Sequence, residues 1–280
     1  MRGAGLRRAL FSPSAVVLLA SLILVAYVGL TAGDVLNFAY IGRIFGGDAS
    51  QYGYDGQFAY QIAVSPCCAS PLLDAPAYRY QRILYPLLAR LLAFGQRSLI
   101  PYTLVLINIL ALVGGSYCVG RLLERYGQSR WFALVYGLYP GLLAGVRYDL
   151  TEPLAYGLLA LAIWQWERGQ RLLPALYFGL AAFTKETALV FVAAYLGATL
   201  LRRQWKAAGG LLAFCVVPFA LWQAALYLWL GQVGISSGGE NATPFHLAPF
   251  GGFLATAEHD AGWLLLWICL LYTSPSPRDS

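Results

Sequence analysis

The chain has 280 residues, of which 59% are hydrophobic and 11% charged, and its net charge at neutral pH is +6. Soluble domains carry about 25% charged residues, so this composition excludes an ordinary soluble domain. The positive charge lies in short clusters beside apolar stretches, which indicates membrane topology and argues against a nucleic-acid partner.

The first apolar run, residues 14–32, follows Arg7 and Arg8. It is too long for the core of a cleavable signal, so we predict a retained first span after a cytoplasmic tail, residues 1–13. A long outward loop, residues 33–98, follows. Its apolar part, residues 83–95, would cover about 20 Å as a helix and could not cross the ~30 Å hydrocarbon core. We therefore predict an interfacial helix there.

Apolar stretches and polar turns alternate along the rest of the chain. They predict spans at residues 99–120, 131–146, 153–166, 172–183, 188–201, 207–230 and from 261 onward. A single tilted helix over residues 172–201 is the alternative to a hairpin, but it would bury Lys185 and Glu186 mid-bilayer. The sequence thus predicts an all-α integral membrane protein. Its multi-pass helical bundle would have about eight spans in a single domain, residues 1–268, with interfacial helices in the outward first loop.

The last residues, 269–280, resemble the translation of a sequencing adapter. Their polar Ser-Pro pattern interrupts an apolar stretch that begins at Ala261. We expect the natural sequence to diverge after about Ile268 and to continue with further helices. A genuine short C-terminal tail is the alternative.

Most acidic residues fall on one side of the membrane once the basic clusters are placed on the cytoplasmic side. The outward carboxylates are Asp34, Asp48, Asp55, Asp74, Asp149, Glu152, Glu186, Glu240, Glu258 and Asp260. A charge at the centre of a membrane helix costs about 2.5–3.5 kcal/mol on insertion scales. Carboxylates gathered at the outer ends of apolar helices therefore indicate a site that faces away from the cytoplasm.

Asp55 is the first candidate in this set. It lies between Tyr54 and Gly56, and Gln57 follows; the glycine would let the backbone approach a ligand closely. The alternative is an ordinary Asp-Gly turn. Asp74, in the same loop without such neighbours, is predicted to matter much less.

A second segment contributes Arg79, Tyr80 and Arg82 just before the predicted interfacial helix. Arginines at this interface can fork onto phosphate oxygens, and tyrosines beside them suit a sugar face or a lipid headgroup. The alternative is an aromatic belt with snorkelling arginines.

Three further candidates lie in later turns. Asp149 and Glu152 would share a helix face and, with Asp55, could hold a divalent cation such as Mg²⁺ or Mn²⁺. The alternative for this pair is a helix-capping turn. Lys185 could contact a lipid phosphate or simply pair with Glu186.

These segments together resemble the GT-C superfamily of polytopic glycosyltransferases, which use polyprenyl-phosphate-linked sugars. The resemblance is to a bacterial branch with a YDGQF-type segment after the first span and an RYQRILYPLLA-type segment before the second. It covers the chain from Asp34 to Leu201. One departure is that the acidic pair common in the superfamily's first loop is here the lone Asp55, with Asp48 seven residues earlier.

The resemblance implies a transferase in the bacterial cytoplasmic membrane, with its N-terminus in the cytoplasm and its site facing the exterior. The donor would be a polyprenyl-phosphate-linked sugar and the acceptor a lipid or glycan. Asp55 would be the general base, and Arg79, Arg82 or Lys185 would offset charge on the leaving phosphate. The remaining substrate-binding residues would be Tyr54, Gln57, Tyr80, Asp149 and Glu152. A multi-pass transporter and a noncatalytic envelope-assembly protein are the alternative functions.

Overall fold

The computed structural model describes residues 12–42 and 53–237, and all regular structure in these residues is helical. The backbone divides into units Met1–Ser237 and Gly238–Ser280, and every described residue lies in the first. The predicted span from residue 261 and the adapter-like tail lie outside the described residues. In chain order the described α-helices are α1 (Pro13–Ala32), α2 (Gly56–Val64), α3 (Pro76–Tyr80), α4 (Leu84–Leu92), α5 (Ile100–Arg125), α6 (Ala133–Gly137), α7 (Pro140–Arg147), α8 (Glu152–Glu167), α9 (Leu172–Thr184), α10 (Ala188–Leu201), α11 (Trp205–Leu211) and α12 (Val217–Leu230).

Five short helical segments connect some of these helices. Four are 3₁₀ turns, at Val35–Phe38, Ser70–Leu72, Arg97–Leu99 and Arg130–Phe132, and one is π-helical, Leu212–Val216, between α11 and α12. Pro218 follows the π segment and cannot donate to the carbonyl four residues earlier. This missing donor accounts for the irregular hydrogen bonding at that point of an otherwise continuous helix.

Helix α1 matches the predicted first span closely. Ser12 caps its N-terminus by accepting a hydrogen bond from the Ala15 amide at 3.3 Å, and Pro13 occupies the first turn, where its missing N–H costs nothing. The helix ends at Gly33, whose φ of 71° lies in the left-handed region that glycine adopts without strain.

Three helical stretches in the described part of the chain are long and apolar enough to cross a membrane. They are Pro13–Ala32 with 20 residues, Arg97–Arg125 with 29 and Trp205–Leu230 with 26. About 20 residues are needed to cross a bilayer core. Helices α9 and α10, with 13 and 14 residues, are apolar but reach only about 20 Å each. The chain therefore has the character of a helical membrane protein.

The structure separates α9 from α10 at Lys185, whose backbone is extended with φ −155° and ψ 128°. The alternative of one tilted helix over residues 172–201 is therefore wrong. The predicted span at residues 131–146 is also interrupted, into a 3₁₀ turn, α6 and α7. The break comes at Tyr139, whose ψ is 124°, because the ring of Pro140 disfavours helical backbone in the preceding residue.

A helix is present where the interfacial helix was predicted: α4 lies within residues 83–95. It buries Tyr85, Pro86 and Ala89 against the rest of the protein and leaves Leu91 and Leu92 exposed. This helix presents one apolar face outward, as an interfacial helix would.

Helix α5 is the common packing partner of the elements around the site. Leu104 belongs to one buried cluster with Ala59 of α2 and Tyr85 of α4. Further along α5, Leu112 joins a second cluster that includes Val17 of α1. Helix α8 packs along both α5 and α9. This arrangement brings the N-terminal end of α2, the α3–α4 segment and the turns before α8 and α10 to the same end of α5.

Candidate functional site

Gly56, at the start of α2, contacts the turn between α7 and α8. A Cβ atom at Gly56 would overlap the carbonyl oxygen of Tyr148 and lie 3.1 Å from the Cβ of Asp149. The glycine thus admits close approach, but of the protein's own backbone rather than of a ligand. It places Asp55 next to Asp149, which is 94 residues later in the chain.

Arg79 is the centre of a three-residue ionic cluster. Its Nε and Nη2 atoms each donate to Asp74 at 2.8 Å, and its Nη1 lies 2.8 Å from an oxygen of Asp55. The guanidinium lies 4.1 Å above the ring centre of Phe58, a favourable cation–π contact. The Arg79 side chain is 9% exposed and that of Asp55 is 48% exposed, so the cluster spans from the protein interior to its surface.

Asp74 is therefore part of the cluster, although its neighbours in the sequence gave no sign of it. Burial raises the pKa of Asp74, but the hydrogen bonds and charge of Arg79 outweigh burial and hold that pKa below its ordinary value. The carboxylate is thus ionised under neutral conditions. Asp74 fixes one edge of the guanidinium and leaves Nη1 directed at Asp55.

Arg82 forms a second ionic pair, with Glu186 in the turn before α10. Its Nε and Nη2 atoms donate to the two carboxylate oxygens at 2.8 and 2.6 Å. Burial raises the pKa of Glu186, but the hydrogen bonds from Arg82 outweigh it and the net shift is downward. This pair connects α3 and α10 across 104 residues of sequence.

Lys185 pairs with Glu152, the first residue of α8, at 2.5 Å. The interpretation that Lys185 and Glu186 pair with each other is therefore wrong. They diverge because the extended backbone at Lys185 directs adjacent side chains to different faces. Lys185 therefore connects the turn before α10 to α8, and Glu186 connects it to the α3–α4 segment.

Asp149 is fully buried, and its Oδ2 atom has no hydrogen-bond partner in the described residues. Its backbone is left-handed, with φ 48°, a conformation that Asp and Asn tolerate better than most side chains. Burial raises the pKa of Asp149 well above its ordinary value, and the hydrogen bond from Tyr85 and the charge of Arg147 offset this only in part. Burial thus favours the neutral form of Asp149, whereas the ion pair with Arg79 favours the charged form of Asp74.

A buried polar chain extends from Asp149 into α5. The Tyr85 hydroxyl lies 3.5 Å from Oδ1 of Asp149 and 3.1 Å from the Leu104 carbonyl. It accepts a hydrogen bond from Nδ2 of Asn108 at 2.8 Å, and the same amide lies 3.0 Å from the Leu150 carbonyl. The backbone of the turn is therefore held directly by α5.

Asp55, Arg79, Arg82, Asp149 and Glu152 line one small cavity together. Apolar side chains, among them Phe58, Ile62 and Pro86, complete its wall, and its volume is about 30 Å³. A cavity of that size has room for water-sized groups but not for a sugar. A larger ligand would have to bind at its mouth or after an ion pair opens.

Four predicted binding residues do not line this cavity: Lys185, which pairs with Glu152, and Tyr54, Gln57 and Tyr80. Tyr80 is not part of the cavity lining. It is fully buried, its hydroxyl accepts from the Ala69 amide at 3.1 Å, and its carbonyl accepts from Trp222 of α12. Gln57 is buried and its Oε1 accepts from the Gly42 amide at 3.1 Å. Tyr54 is half-exposed and its ring lies 5.2 Å from that of Tyr148, beside the site.

The predicted cation site does not fit the residues. Within residues 12–42 and 53–237, no group of three or more His, Cys, Asp or Glu side chains is arranged to hold a metal ion. Asp55 is turned towards Arg79, Glu152 towards Lys185 and Asp149 towards Tyr85. Two of the three carboxylates thus already neutralise basic side chains.

Tyr85 and Asn108 belong to the site but were not predicted, and Asp74 and Glu186 were predicted only as members of the outward carboxylate set. Asn108 carried a usable signal, since an amide inside an apolar membrane-length helix needs a polar partner. Asp74 and Glu186 carried no comparable signal, because their partners depend on how the turns before α3 and α10 fold. Comparisons of the chain with known protein families, curated proteins and solved structures found no match.

Proposed function

We propose that the protein is a membrane glycosyltransferase that moves a sugar from a polyprenyl-phosphate donor to a hydroxyl of a lipid or glycan acceptor. The observation that carries the proposal is the shared cavity of Asp55, Arg79, Arg82, Asp149 and Glu152. It combines an exposed carboxylate with basic groups that can bind phosphate, next to the exposed apolar face of α4. A lipid-linked phosphate donor requires that combination.

In the proposed step, Asp55 accepts the proton of the acceptor hydroxyl as its oxygen bonds to the anomeric carbon. The bond between that carbon and the phosphate oxygen breaks, and its electron pair leaves with the phosphate. Direct displacement inverts the anomeric centre. Arg79 and Arg82 offset the charge that grows on the leaving phosphate.

Because of the ion pair between Arg79 and Asp55, donor binding precedes proton transfer in this mechanism. While Asp55 contacts Nη1 at 2.8 Å, that carboxylate oxygen is engaged by Arg79 and is not free to accept a proton. A donor phosphate that binds Nη1 competes with Asp55 and releases it, while Asp74 keeps the other edge of the guanidinium in place. The base therefore becomes available when the donor is bound, which limits unproductive proton transfer.

We also propose the finer topology. The protein would cross the bacterial cytoplasmic membrane about eight times, with its N-terminus in the cytoplasm and the cavity facing the exterior. The short α9 and α10 would then form a hairpin whose outer turn, with Lys185 and Glu186, lies below the membrane surface. The lipid phosphate of the donor would reach the cavity at that depth.

Sugar transfer by full-length protein in membrane vesicles tests the function. The vesicles are supplied in turn with polyprenyl phosphates that carry different radiolabelled sugars, and labelled product is measured. Asp55→Asn is expected to lower transfer at least about a hundredfold, near the lower end for loss of a general base. Asp34→Asn is the matched control, because Asp34 caps a 3₁₀ turn outside the cavity and Asn caps equally well. Equal rates for Asp55→Asn and wild type would remove Asp55 from the mechanism.

Thiol labelling of intact cells tests the orientation. Cys67 and Cys68 are exposed and should react with a membrane-impermeant maleimide from outside. In a second variant, Cys67 and Cys68 are replaced by serine and Gln204 by cysteine. This variant should react only after the cells are opened, because Gln204 follows the C-terminal end of α10, next to Arg202 and Arg203. Labelling of both proteins from the same side would contradict the topology.

One observation favours a transporter instead. The chain of Asp149, Tyr85 and Asn108 is buried in the protein interior, as proton-relay groups of transporters are. Reconstituted vesicles with an imposed pH gradient and an internal pH dye distinguish the two functions. The glycosyltransferase proposal expects no proton flux that depends on Asp149, and a flux abolished by Asp149→Asn would favour transport.

A further inference from the structure

A second and larger cavity lies at the other end of α5. It has a volume of about 370 Å³ and is bounded by the start of α1 and by α5 near Arg121. The Leu104 carbonyl, which contacts the first site, is 17 residues before Arg121, a distance of about 26 Å along the helix. The two cavities are thus separated by nearly the thickness of a bilayer core, and the second takes no part in the proposed transfer.

The charged side chains that line this cavity are two arginines and one glutamate. Arg121 and Arg130 line it together with Glu124. Arg121 donates to Glu124 at 2.7 Å, but both side chains are well exposed, 52% and 37%, and such a surface pair holds its partners only weakly. The N-terminal end of α1, with Ser14, also lines the cavity and contributes the positive end of a 20-residue helix dipole. The surroundings therefore favour an anion.

Ser116 supplies an independent sign of a ligand. Its side chain is fully buried, it lines the cavity, and its hydroxyl has no hydrogen-bond partner in the described residues. Buried hydroxyl groups are nearly always hydrogen-bonded. Gly120, one turn further along α5, also lines the cavity and adds no side chain to its wall.

The dimensions and surroundings of the cavity indicate a lipid. Its volume lies within the range of about 300–1,000 Å³ that is usual for small-molecule sites and exceeds what one phosphate needs. The adjoining part of α1 exposes Leu19, Leu22 and Ile23, which are 59%, 49% and 61% exposed. Acyl chains could lie along this apolar surface while the headgroup enters the cavity.

We propose that this cavity binds the phosphate headgroup of an anionic phospholipid between α1 and α5. Arg121 and Arg130 contact the phosphate, and Ser116 donates to a headgroup oxygen. Anionic lipids are abundant at the cytoplasmic face, and basic pockets between membrane helices on that side bind their headgroups. The proposal does not depend on the reaction at Asp55, since it rests on a different cavity.

The test compares the full-length protein in nanodiscs of phosphatidylcholine with and without phosphatidylglycerol. Bound lipid is counted by native mass spectrometry, and thermal unfolding is followed. Phosphatidylglycerol should raise the unfolding temperature of the wild type. Arg121→Gln should weaken binding roughly fivefold, as expected for loss of one basic contact near a lipid surface. Glu124→Gln should strengthen binding, because it removes the competing carboxylate.

Two further variants separate specific binding from general charge. Arg125→Gln removes the same charge from an exposed position on α5 outside the cavity lining and should keep the wild-type shift. Ser116→Ala should unfold like the wild type in phosphatidylcholine but lose part of the shift from phosphatidylglycerol. Equal losses for Arg121→Gln and Arg125→Gln would overturn the proposal. So would an equal stabilisation by inorganic phosphate alone, which would assign the cavity to the free anion.

Discussion

Asp74 accepts two hydrogen bonds from Arg79, both 2.8 Å long, through the Nε and Nη2 atoms. This bidentate geometry depends on the planar fork of arginine and fixes the plane of the guanidinium. Because the remaining nitrogen then faces Asp55, the position of the proposed base depends on Asp74. Asp74 therefore acts through Arg79, as a positioning residue.

We predict that Asp74→Asn destabilises the protein and lowers transfer. The variant keeps one acceptor but loses the charge that compensates the largely buried Arg79, and loss of a buried charged partner costs about 1–3 kcal/mol. Thermal unfolding in detergent measures the effect. Glu167→Gln is the control, because Glu167 makes an exposed contact with Tyr126, and surface changes of this kind stay within about 0.5 kcal/mol. Equal unfolding temperatures for the two variants would contradict the positioning role of Asp74.

How much of this arrangement the sequence could predict depends on the kind of contact. The distribution of charged residues between the two predicted sides of the membrane was enough to predict that Asp55 and Asp149 lie at the same end of the helices. The pairing of Arg82 with Glu186 was not predictable, because it depends on how the α3–α4 turn and the turn before α10 come together in the folded protein. Tyr80 shows the same limit. It follows Arg79 in the sequence, but its ring is buried against Trp229 and does not line the cavity.

The break at Pro140 is a different case. The Tyr139-Pro140 pair carried the signal of a helix end, but the overall apolarity of residues 131–146 favoured one continuous span. The helix breaks at Tyr139 although residues 131–146 are apolar, because proline disfavours helical backbone in the residue before it in any surroundings.

We predict that Gly56→Ala disrupts the site by separating α2 from the turn before α8. Its Cβ would overlap the Tyr148 carbonyl, and overpacking of this kind costs about 1–3 kcal/mol. Transfer should fall with stability, because Asp55 precedes Gly56 directly. Gly114→Ala is the matched control, since its Cβ meets nothing within 4 Å and alanine favours a helix by about 0.5–1 kcal/mol. A Gly56→Ala protein as stable as Gly114→Ala would refute the close approach.

We predict that acid destabilises the protein through Glu186 and Asp74. Their folded-state pKa values lie below the ordinary values of 4.5 and 3.8, so both favour folding above about pH 4.5 and lose that contribution as the pH falls through the folded-state pKa values. Unfolding temperatures at successive pH values measure this loss. Glu186→Gln should be less stable at pH 7 and less sensitive to acid than the wild type. An unchanged acid sensitivity would show that the pair with Arg82 contributes little.

Asp149→Asn is expected to have the opposite dependence on pH. Because the folded-state pKa of Asp149 lies well above 3.8, ionisation favours the unfolded chain as the pH rises between the two pKa values. The penalty is about 1.4 kcal/mol for each unit of separation. Asparagine cannot ionise, and it tolerates the left-handed backbone at this position. The variant should therefore unfold at a higher temperature than the wild type at pH 7, and the difference should shrink towards pH 4.

Asp34→Asn serves as the control for this comparison, because it removes an exposed carboxylate whose capping role Asn can take over. It should show no such gain at pH 7. Transfer activity then separates the two roles of Asp149. If the neutral acid only donates a hydrogen bond into the cavity, the amide of Asn replaces it and transfer falls by no more than about tenfold, the equivalent of one neutral hydrogen bond. A stability gain that does not vary with pH would show that Asp149 is ionised in the folded protein, contrary to its burial beside Tyr85.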